Sequence, residues 1–159
     1  MPKLTTFVAV LLVSAAGSAC SREYIPNTDV DDNDFNRQVV EFCEDYRRAV
    51  ERRNVGLLLK LANEKYYEDG GTVDTDDDLD YAGLKEYLEG KFRDVKSIRY
   101  EVRYRNVTRG RNDEVLVDYT YSASYKIPTP KGDVWRRKVA DNRLELVPVG
   151  ETFRILSGM

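Results

Sequence analysis

Residues 97–107, SIRYEVRYRNV, alternate strictly between two kinds of side chain. The first kind is apolar or aromatic and occupies Ile98, Tyr100, Val102 and Tyr104. The second kind is charged and occupies Arg99, Glu101, Arg103 and Arg105. Because successive side chains of a β-strand point to opposite faces, this period of two predicts a strand with one buried face and one charged face.

Downstream of this strand the same period continues. Residues 114–127, EVLVDYTYSASYKI, carry an apolar or aromatic side chain at every second position. These positions are Val115, Val117, Tyr119, Tyr121, Ala123, Tyr125 and Ile127. Such a strand is long for a small domain, so we expect it to curve. The segment TFRILSG, residues 152–158, predicts a short final strand.

A third strand is predicted between these two, at 134–147, but its apolar residues change parity. The first of them, Trp135 and Val139, have odd numbers, whereas the leucines that follow have even numbers. An extra residue in one strand shifts the side chains beyond it to the other face. We therefore expect a bulge at 140–142 that brings both groups onto the buried face.

Upstream of the strands, apolar positions recur at spacings of three and four, which predicts amphipathic helices. The first helix spans 34–53, with Asn33 or Asp34 as its N-cap. The second covers 55–67 and the third covers 81–92. Three helices are thus followed by four strands.

This order of elements resembles the nuclear-transport-factor-two-like family, whose members are also called SnoaL-like or cystatin-like cone folds. The resemblance covers residues 34–159 and also rests on three phrases: FCEDYRRAVERRNVGLLLKLANEKYYEDGG, YAGLKEYLEGKF and DNRLELVPVGETFRILSGM. It implies an α+β cone in which three N-terminal helices pack in a strongly bent antiparallel sheet of about four strands. The fold hosts isomerases, dehydratases and proteins that only bind or dimerise, so function has to be argued from the site.

In such a cone, inward side chains of the helices and the sheet line the open end. Six aromatic residues are therefore candidates for a ligand pocket: Tyr46, Tyr66, Tyr100, Tyr119, Tyr121 and Trp135. Aromatic rings with phenol groups suit a flat or lipid-like ligand that needs a few hydrogen bonds. The alternative is that these rings only fill a broad, bent core, since aromatic residues favour strands in any case.

Catalytic members of the resembled family commonly place an aspartate, a histidine or a pair of tyrosines in the cone. This chain has no histidine. Asp141 is the remaining candidate for a catalytic base, because the expected bulge would allow it to point inward beside Arg143. The alternative is a salt-bridged or bulge-stabilising carboxylate. Asp118 is out of phase with the tyrosines and is expected to face solvent.

Five aspartates crowd one short stretch, at Asp74, Asp76, Asp77, Asp78 and Asp80. A calcium-binding loop that starts at Asp74 needs a glycine at its sixth position and a carboxylate at its twelfth, but Leu79 and Lys85 stand there. Zinc is not expected without histidine or paired cysteines. We therefore expect no metal and no cofactor, and we interpret the run as the acidic approach to the third helix, with Asp78 or Asp80 as its cap.

Residues 1–19 have the features of a secretion signal, with Lys3 followed by an apolar run at 7–16. This run is shorter than the roughly 20 apolar residues that span a bilayer. The adjoining SAAGSAC resembles a bacterial lipobox, so we expect Cys20 to be lipidated and residues 20–33 to form a flexible tether. Plain signal cleavage is the alternative. The expected location is the cell envelope, on either the inner or the outer membrane.

Composition narrows the classes of function further. Cys20 and Cys43 are the only cysteines, and Cys43 falls on the apolar stripe of the first helix, where an inert buried thiol is expected. The net charge is −3, with 25 basic and 28 acidic residues and no concentrated basic surface, so we expect no nucleic acid partner.

These observations favour a membrane-anchored envelope lipoprotein with a non-enzymatic domain that binds a small hydrophobic ligand or a protein. The alternative is a histidine-free lyase or isomerase of the SnoaL-like class that acts on a small hydrophobic substrate. A purely structural role at the cell surface is a third hypothesis. The resemblance also suggests a homodimer formed through the outer face of the sheet.

Overall fold

Three helices precede the main sheet in the computed structural model, which describes residues 22–69 and 78–159. Helix α1 spans Asp34–Glu51, α2 spans Val55–Leu61 and α3 spans Tyr81–Phe92. Each begins at a side-chain cap that accepts a hydrogen bond from a backbone amide of the first turn. The caps are Asn33 (2.9 Å to Asn36 N), Asn54 (3.0 Å to Leu57 N) and Asp80 (2.9 Å to Gly83 N).

Helix α2 is shorter than predicted. The sequence pattern continues to residue 67, but the chain becomes extended at Ala62, where φ is −70° and ψ is 150°. Ala62 forms a parallel bridge with Ile155, and Asn63 N donates a hydrogen bond of 2.8 Å to Ile155 O. Pairing with the last strand therefore competes successfully with the helical periodicity at this point.

The four predicted strands of the main sheet are present and antiparallel. They are β3 (Ser97–Arg109), β4 (Val115–Thr129), β5 (Gly132–Val149) and β6 (Thr152–Ser157), in the order β3-β4-β5-β6. Two short strands, β1 (Tyr67–Glu68) and β2 (Leu79–Asp80), form a separate ribbon. The α+β architecture predicted from the sequence is confirmed.

The bulge predicted at 140–142 is wrong. Strands β4 and β5 pair without interruption from Val115 opposite Leu146 to Thr129 opposite Gly132. The register irregularities of the sheet lie elsewhere, at Tyr104/Asn106 between β3 and β4 and at Glu145/Leu146 between β5 and β6. Even-numbered residues therefore face inward along the whole length of β5 that pairs with β4.

The core lies between α1 and the inner face of the sheet. Five side chains of α1 form its buried stripe: Val39, Phe42, Cys43, Tyr46 and Ala49. They pack with Val115, Val117, Tyr119, Leu144, Leu146 and Ile155 of the sheet. Full burial of one such side chain contributes about 1.5–3 kcal/mol, so this layer dominates the stability of the domain.

Residues 24–33, which we call the clasp, pack against the edge strand β3. Tyr24 bridges to Asp31, Val30 is only 2% exposed, and Asp29 N donates a hydrogen bond of 2.9 Å to Tyr104 O. The Asp29 carboxylate also pairs with Arg103 and Arg105. This arrangement differs from the free tether expected over 20–33, because a buried valine and a doubly paired carboxylate fix the segment. Residues 20 and 21 lie outside the described ranges.

Candidate functional site

A cavity of about 430 Å³ opens between α1, α3 and the inner face of the sheet, and we call it the cone mouth. Its aromatic wall consists of Tyr46, Tyr87, Tyr100 and Tyr121. Val50, Ala140 and Met159 add apolar surface, and Lys138 and Asn142 add polar groups. The volume falls within the range of roughly 300–1,000 Å³ that is usual for small-molecule sites.

The local structure explains why these side chains converge. Tyr46 and Val50 lie one turn apart on α1 and therefore share a face. On the sheet, Tyr121 stands opposite Ala140, so a large side chain on β4 faces a small one on β5 and space remains between them. The Tyr100 and Tyr121 rings lie 5.6 Å apart at a tilt of 44°.

The buried phenols at this cavity, those of Tyr46, Tyr100 and Tyr119, stay neutral at physiological pH because their pKa values are raised. Burial raises the pKa of Tyr46 well above its usual value, and the neighbouring phenols of Tyr119 and Tyr100 raise it further. Burial is also the main reason why the pKa of Tyr100 and that of Tyr119 are raised. Neutral phenols are hydrogen-bond donors and acceptors, but they are poor bases.

The closing wall is formed by the end of the chain. Asn142 Nδ2 donates one hydrogen bond of 2.9 Å to Tyr119 Oη and a second of 3.0 Å to Gly158 O. Gly158 has a φ of +93°, and a Cβ there would lie 1.9 Å from Arg143 O. Glycine at this position allows the backbone to cross β5 closely and to place Met159 against the cavity.

Comparison with solved structures gives consistent matches over most of the domain, although no protein-family model and no characterised protein sequence matches the chain. A candidate scytalone dehydratase from Novosphingobium aromaticivorans matches with a TM-score of 0.63 and 13% identity, over 78% of this chain and 80% of that one. A candidate dehydratase of the NTF2-like family from Streptomyces avermitilis has a TM-score of 0.60 and 13% identity, over 77% and 92%. A conserved protein from Planctomyces limnophilus has a TM-score of 0.64 and 7% identity, over 78% and 92%.

The domain has the nuclear-transport-factor-two-like fold. At these identities the matches show the fold and leave the activity to be argued from the side chains. The cone mouth lies at the open end of this nuclear-transport-factor-two-like cone, between its helices and its bent sheet.

Most of the tyrosines proposed from sequence do meet at the cone. Tyr46, Tyr100 and Tyr121 line the cavity. Tyr119 lies directly behind them, 2% exposed, with its ring 6.3 Å from that of Tyr121. Tyr66 is also 2% exposed and supports the closing wall, because its hydroxyl accepts a hydrogen bond of 3.4 Å from Met159 N.

Trp135 is not part of the cone, and its assignment to the pocket is wrong. It stands opposite Lys126 on the outer face of the sheet, where it is 45% exposed and its ring lies 4.9 Å from the guanidinium carbon of Arg99. Val139 lies on the same outer face and is 58% exposed. In the sequence these two residues suggested that the odd-numbered positions of the strand are buried. That prediction is wrong because apolar side chains can also occupy an outer face.

Asp141 does not point inward either. With no bulge beside it, its carboxylate lies on the outer face and accepts a hydrogen bond of 2.6 Å from Thr120 Oγ1, its partner across β4. Asp141 is therefore held by a hydrogen bond, rather than by the salt bridge or the bulge of the structural alternative. Asp118 faces outward as expected and pairs with Arg143 at 2.6 Å.

A larger depression, of about 590 Å³, lies on the outer face beside these residues. Its polar side chains already pair with each other or with the clasp: Asp118 with Arg143, Asp141 with Thr120, and Arg105 with Asp29. We therefore regard the smaller cone mouth as the better candidate site, since its hydrogen-bonding groups are less fully committed.

Sequence reasoning missed Lys138 and Asn142. Both have the even parity of Ala140, so both would have been placed in the cone if the strand had been taken as regular. The Lys138 Nζ lies 5.9 Å from the centre of the Tyr121 ring, and a hydrogen bond to that phenol raises the pKa of Lys138.

No metal site is evident in the part of the chain that the structure describes, where no three acidic or cysteine side chains converge on one point. Asp74, Asp76 and Asp77 lie outside the described residues, so the absence of a metal there stays a prediction. Of the remaining two, Asp80 is the cap of α3, and Asp78 accepts a hydrogen bond from the Tyr67 hydroxyl.

Proposed function

We propose that this protein is a membrane-anchored envelope lipoprotein whose cone domain binds a small hydrophobic ligand without transforming it. The observation that carries the proposal is the cone mouth, a cavity of about 430 Å³ in which an aromatic wall lies beside the polar groups of Lys138, Asp141 and Asn142. Such a lining combines aromatic rings that can pack against an apolar ligand with polar groups that can orient it by hydrogen bonds.

Binding is favoured over catalysis because the described lining of the cavity offers no group suited to act as a base. The chain has no histidine, and the Asp141 carboxylate lies on the outer face of the sheet. Lys138 has a raised pKa and is therefore protonated at physiological pH. Efficient proton abstraction needs a base with a pKa near the working pH, within hydrogen-bond reach of the substrate.

The alternative function is a histidine-free lyase or isomerase, and it draws support from the names of two neighbouring structures as candidate dehydratases. The neutral phenols of Tyr46 and Tyr100 could serve such a reaction as hydrogen-bond donors to a developing oxyanion. The described side chains of the cone do not supply a base that could remove a proton from the substrate.

The ligand proposal is tested by native mass spectrometry of the full-length protein purified from membranes. We expect a bound small molecule in the wild type and its loss in Ala140→Trp, where the new ring would occupy the cavity. Val139→Trp is the matched control, because Val139 is the preceding residue and faces outward with 58% exposure. A wild-type protein without ligand, or equal retention in both variants, would contradict the proposal.

The anchor is tested separately, because Cys20 lies outside the described residues. Within these residues no helix is both long and apolar enough to cross a bilayer. We expect Cys20→Ala to abolish incorporation of a labelled fatty acid and to release the protein from membranes. Cys43→Ala is the control: Cys43 is fully buried, and burial raises the pKa of its thiol, so acylation there is not expected. Unchanged membrane association of Cys20→Ala would refute the anchor.

The outer face of the sheet remains our proposal for an interface with a second copy or another protein. It exposes Trp135 and Val139 among charged and hydroxyl side chains. Sedimentation of the wild type and of Trp135→Glu tests this proposal. A wild-type dimer that becomes a monomer in Trp135→Glu would support it. A monomeric wild type would reject the homodimer.

A further inference from the structure

The cone mouth contains a cation, Lys138, whose partner in the described part of the chain is a phenol. Lys138 faces inward on β5 between Arg136 and Ala140, opposite Ala123. Its contact within residues 22–69 and 78–159 is the Tyr121 phenol, and no carboxylate of these ranges forms an ion pair with it.

Two side-chain carboxylates near the cavity are committed elsewhere. Asp141 borders the cone mouth, but its side chain accepts its hydrogen bond from Thr120 on the opposite face. Glu51, one residue beyond Val50 on α1, pairs with Arg47 at 3.2 Å. Neither carboxylate is placed to compensate the charge of Lys138.

Two further cations stand near the same opening. Arg136 follows Lys138 on the inward parity of β5 and faces Tyr125 across the ladder. Lys91 of α3 lies over the Tyr87 ring, 5.1 Å from its centre, and Tyr87 itself lines the cavity. In the described part of the chain neither of these cations is in an ion pair. Among the described side chains, three cations without an ion pair therefore stand near the opening, beside its aromatic wall.

We propose that the ligand of the cone mouth is an organic anion with a flat apolar body, and that its carboxylate pairs with Lys138 while its body lies against Tyr46 and Tyr100. The inference rests on the proposed ligand-binding function and specifies the chemical class of the ligand. The Tyr121 hydroxyl complements this assignment, because it can donate a hydrogen bond to a carboxylate that Lys138 holds.

The test uses the full-length protein in phosphatidylcholine nanodiscs and two probes of nearly equal shape, 2-naphthoate and the uncharged 2-naphthamide. Calorimetric titrations, corrected with empty nanodiscs, should show naphthoate binding roughly tenfold more tightly than naphthamide, which is the effect of one charge-assisted hydrogen bond. Lys138→Met, which keeps the length of the side chain, should remove this preference while leaving naphthamide affinity within about twofold.

Arg137→Met is the matched control, because Arg137 is the preceding residue, faces outward and donates to Ser122 Oγ at 3.0 Å. It should leave both affinities unchanged. Equal affinity of the wild type for the two probes, or an equal loss of preference in both variants, would overturn the assignment of an anion while leaving ligand binding intact. Failure of both probes to bind, together with no ligand in native mass spectrometry, would instead reject the proposed function and this inference with it.

Discussion

The two faces of the β4–β5 pair differ sharply although they alternate along the same backbone. Inward residues such as Val117 and Leu144 are at most 1% exposed and meet only other apolar side chains of the core. Outward residues between them, Asp118 and Arg143, form an ion pair that solvent reaches. Because desolvated packing contributes far more than solvated ion pairs, the inner face determines stability and the outer face is open to substitution.

The inner face also changes along its own length, and this change creates the site. Helix α1 has 18 residues and is about 27 Å long, whereas the 18 residues of β5 extend about 59 Å. The strands therefore continue beyond the helix that covers them. Val115 to Tyr119 are buried under α1, and from Tyr121 onward the inner face is only half-buried. The cone mouth occupies the position where this cover ends.

The largest expected effect is a loss of stability when a side chain of the inner face, rather than one of the outer face, is truncated. Leu144→Ala should lower the free energy of unfolding by about 2–5 kcal/mol, because it removes a fully buried side chain and leaves a cavity. Val139→Ala, five residues earlier on the outward parity, should change it by less than about 0.5 kcal/mol. Urea denaturation of both variants measures the difference. Similar losses in the two variants would show that the outer face is buried against a partner.

A smaller effect is expected where a polar group lies on the inner face. Asn142→Ala removes the donor to both Tyr119 Oη and Gly158 O and should cost about 1–3 kcal/mol. Asp141→Ala, the adjacent change on the outer face, removes an exposed hydrogen bond to Thr120 and should cost less than about 0.5 kcal/mol. Equal stability of the two variants, measured by denaturant midpoints, would indicate that the C-terminal wall is not docked.

Periodicity alone predicted the order and type of the main elements, because long strands and amphipathic helices carry their burial pattern locally. The bounds of α3 and the choice of Asn33 as the cap of α1 follow from short-range chemistry of this kind. The clasp could not be foreseen, because its partners are distant: Asp29 meets Arg103 and Arg105, 74 and 76 residues away. No local pattern marks such a contact.

The candidate site was predicted in part for the same reason. The inward faces of one helix and two strands were predicted correctly, and these faces carry Tyr46, Tyr100 and Tyr121. Lys138 and Asn142 were missed because Trp135 and Val139 suggested the opposite parity for the start of β5. The alternation of side chains indicates the inward positions only where one face of a strand is buried. The first residues of β5 are mostly exposed on both faces, so the alternation there carries little information.

The buried tyrosines of the cone should make the stability of the domain depend on alkaline pH. Folded Tyr46, Tyr100 and Tyr119 have raised pKa values, mainly because of burial. In an unfolded chain a tyrosine ionises near a pKa of about 10. The stabilising effect of the neutral phenols is therefore fully present below pH about 10 and declines as the pH rises above it. Phenolate absorbance should show these tyrosines ionising only together with loss of the near-ultraviolet circular dichroism signal. Ionisation of all tyrosines in the intact fold would mean that the cone is open to water.

Acid pH should have the smallest effect, through the clasp on the outer edge of the sheet. Hydrogen bonds from Arg103 and Arg105 lower the pKa of Asp29 from 3.8 to about 2. A depressed carboxylate pKa adds stability above its unfolded value, and this contribution is lost as the pH falls from about 4 towards about 2. Asp29→Asn should therefore reduce the dependence of the melting temperature on pH in this window and leave alkaline behaviour unchanged. Because the pair is exposed, added salt should weaken the effect in the wild type. An unaltered acid transition in Asp29→Asn would show that the buried Val30 side chain, rather than the ion pairs, holds the clasp on β3.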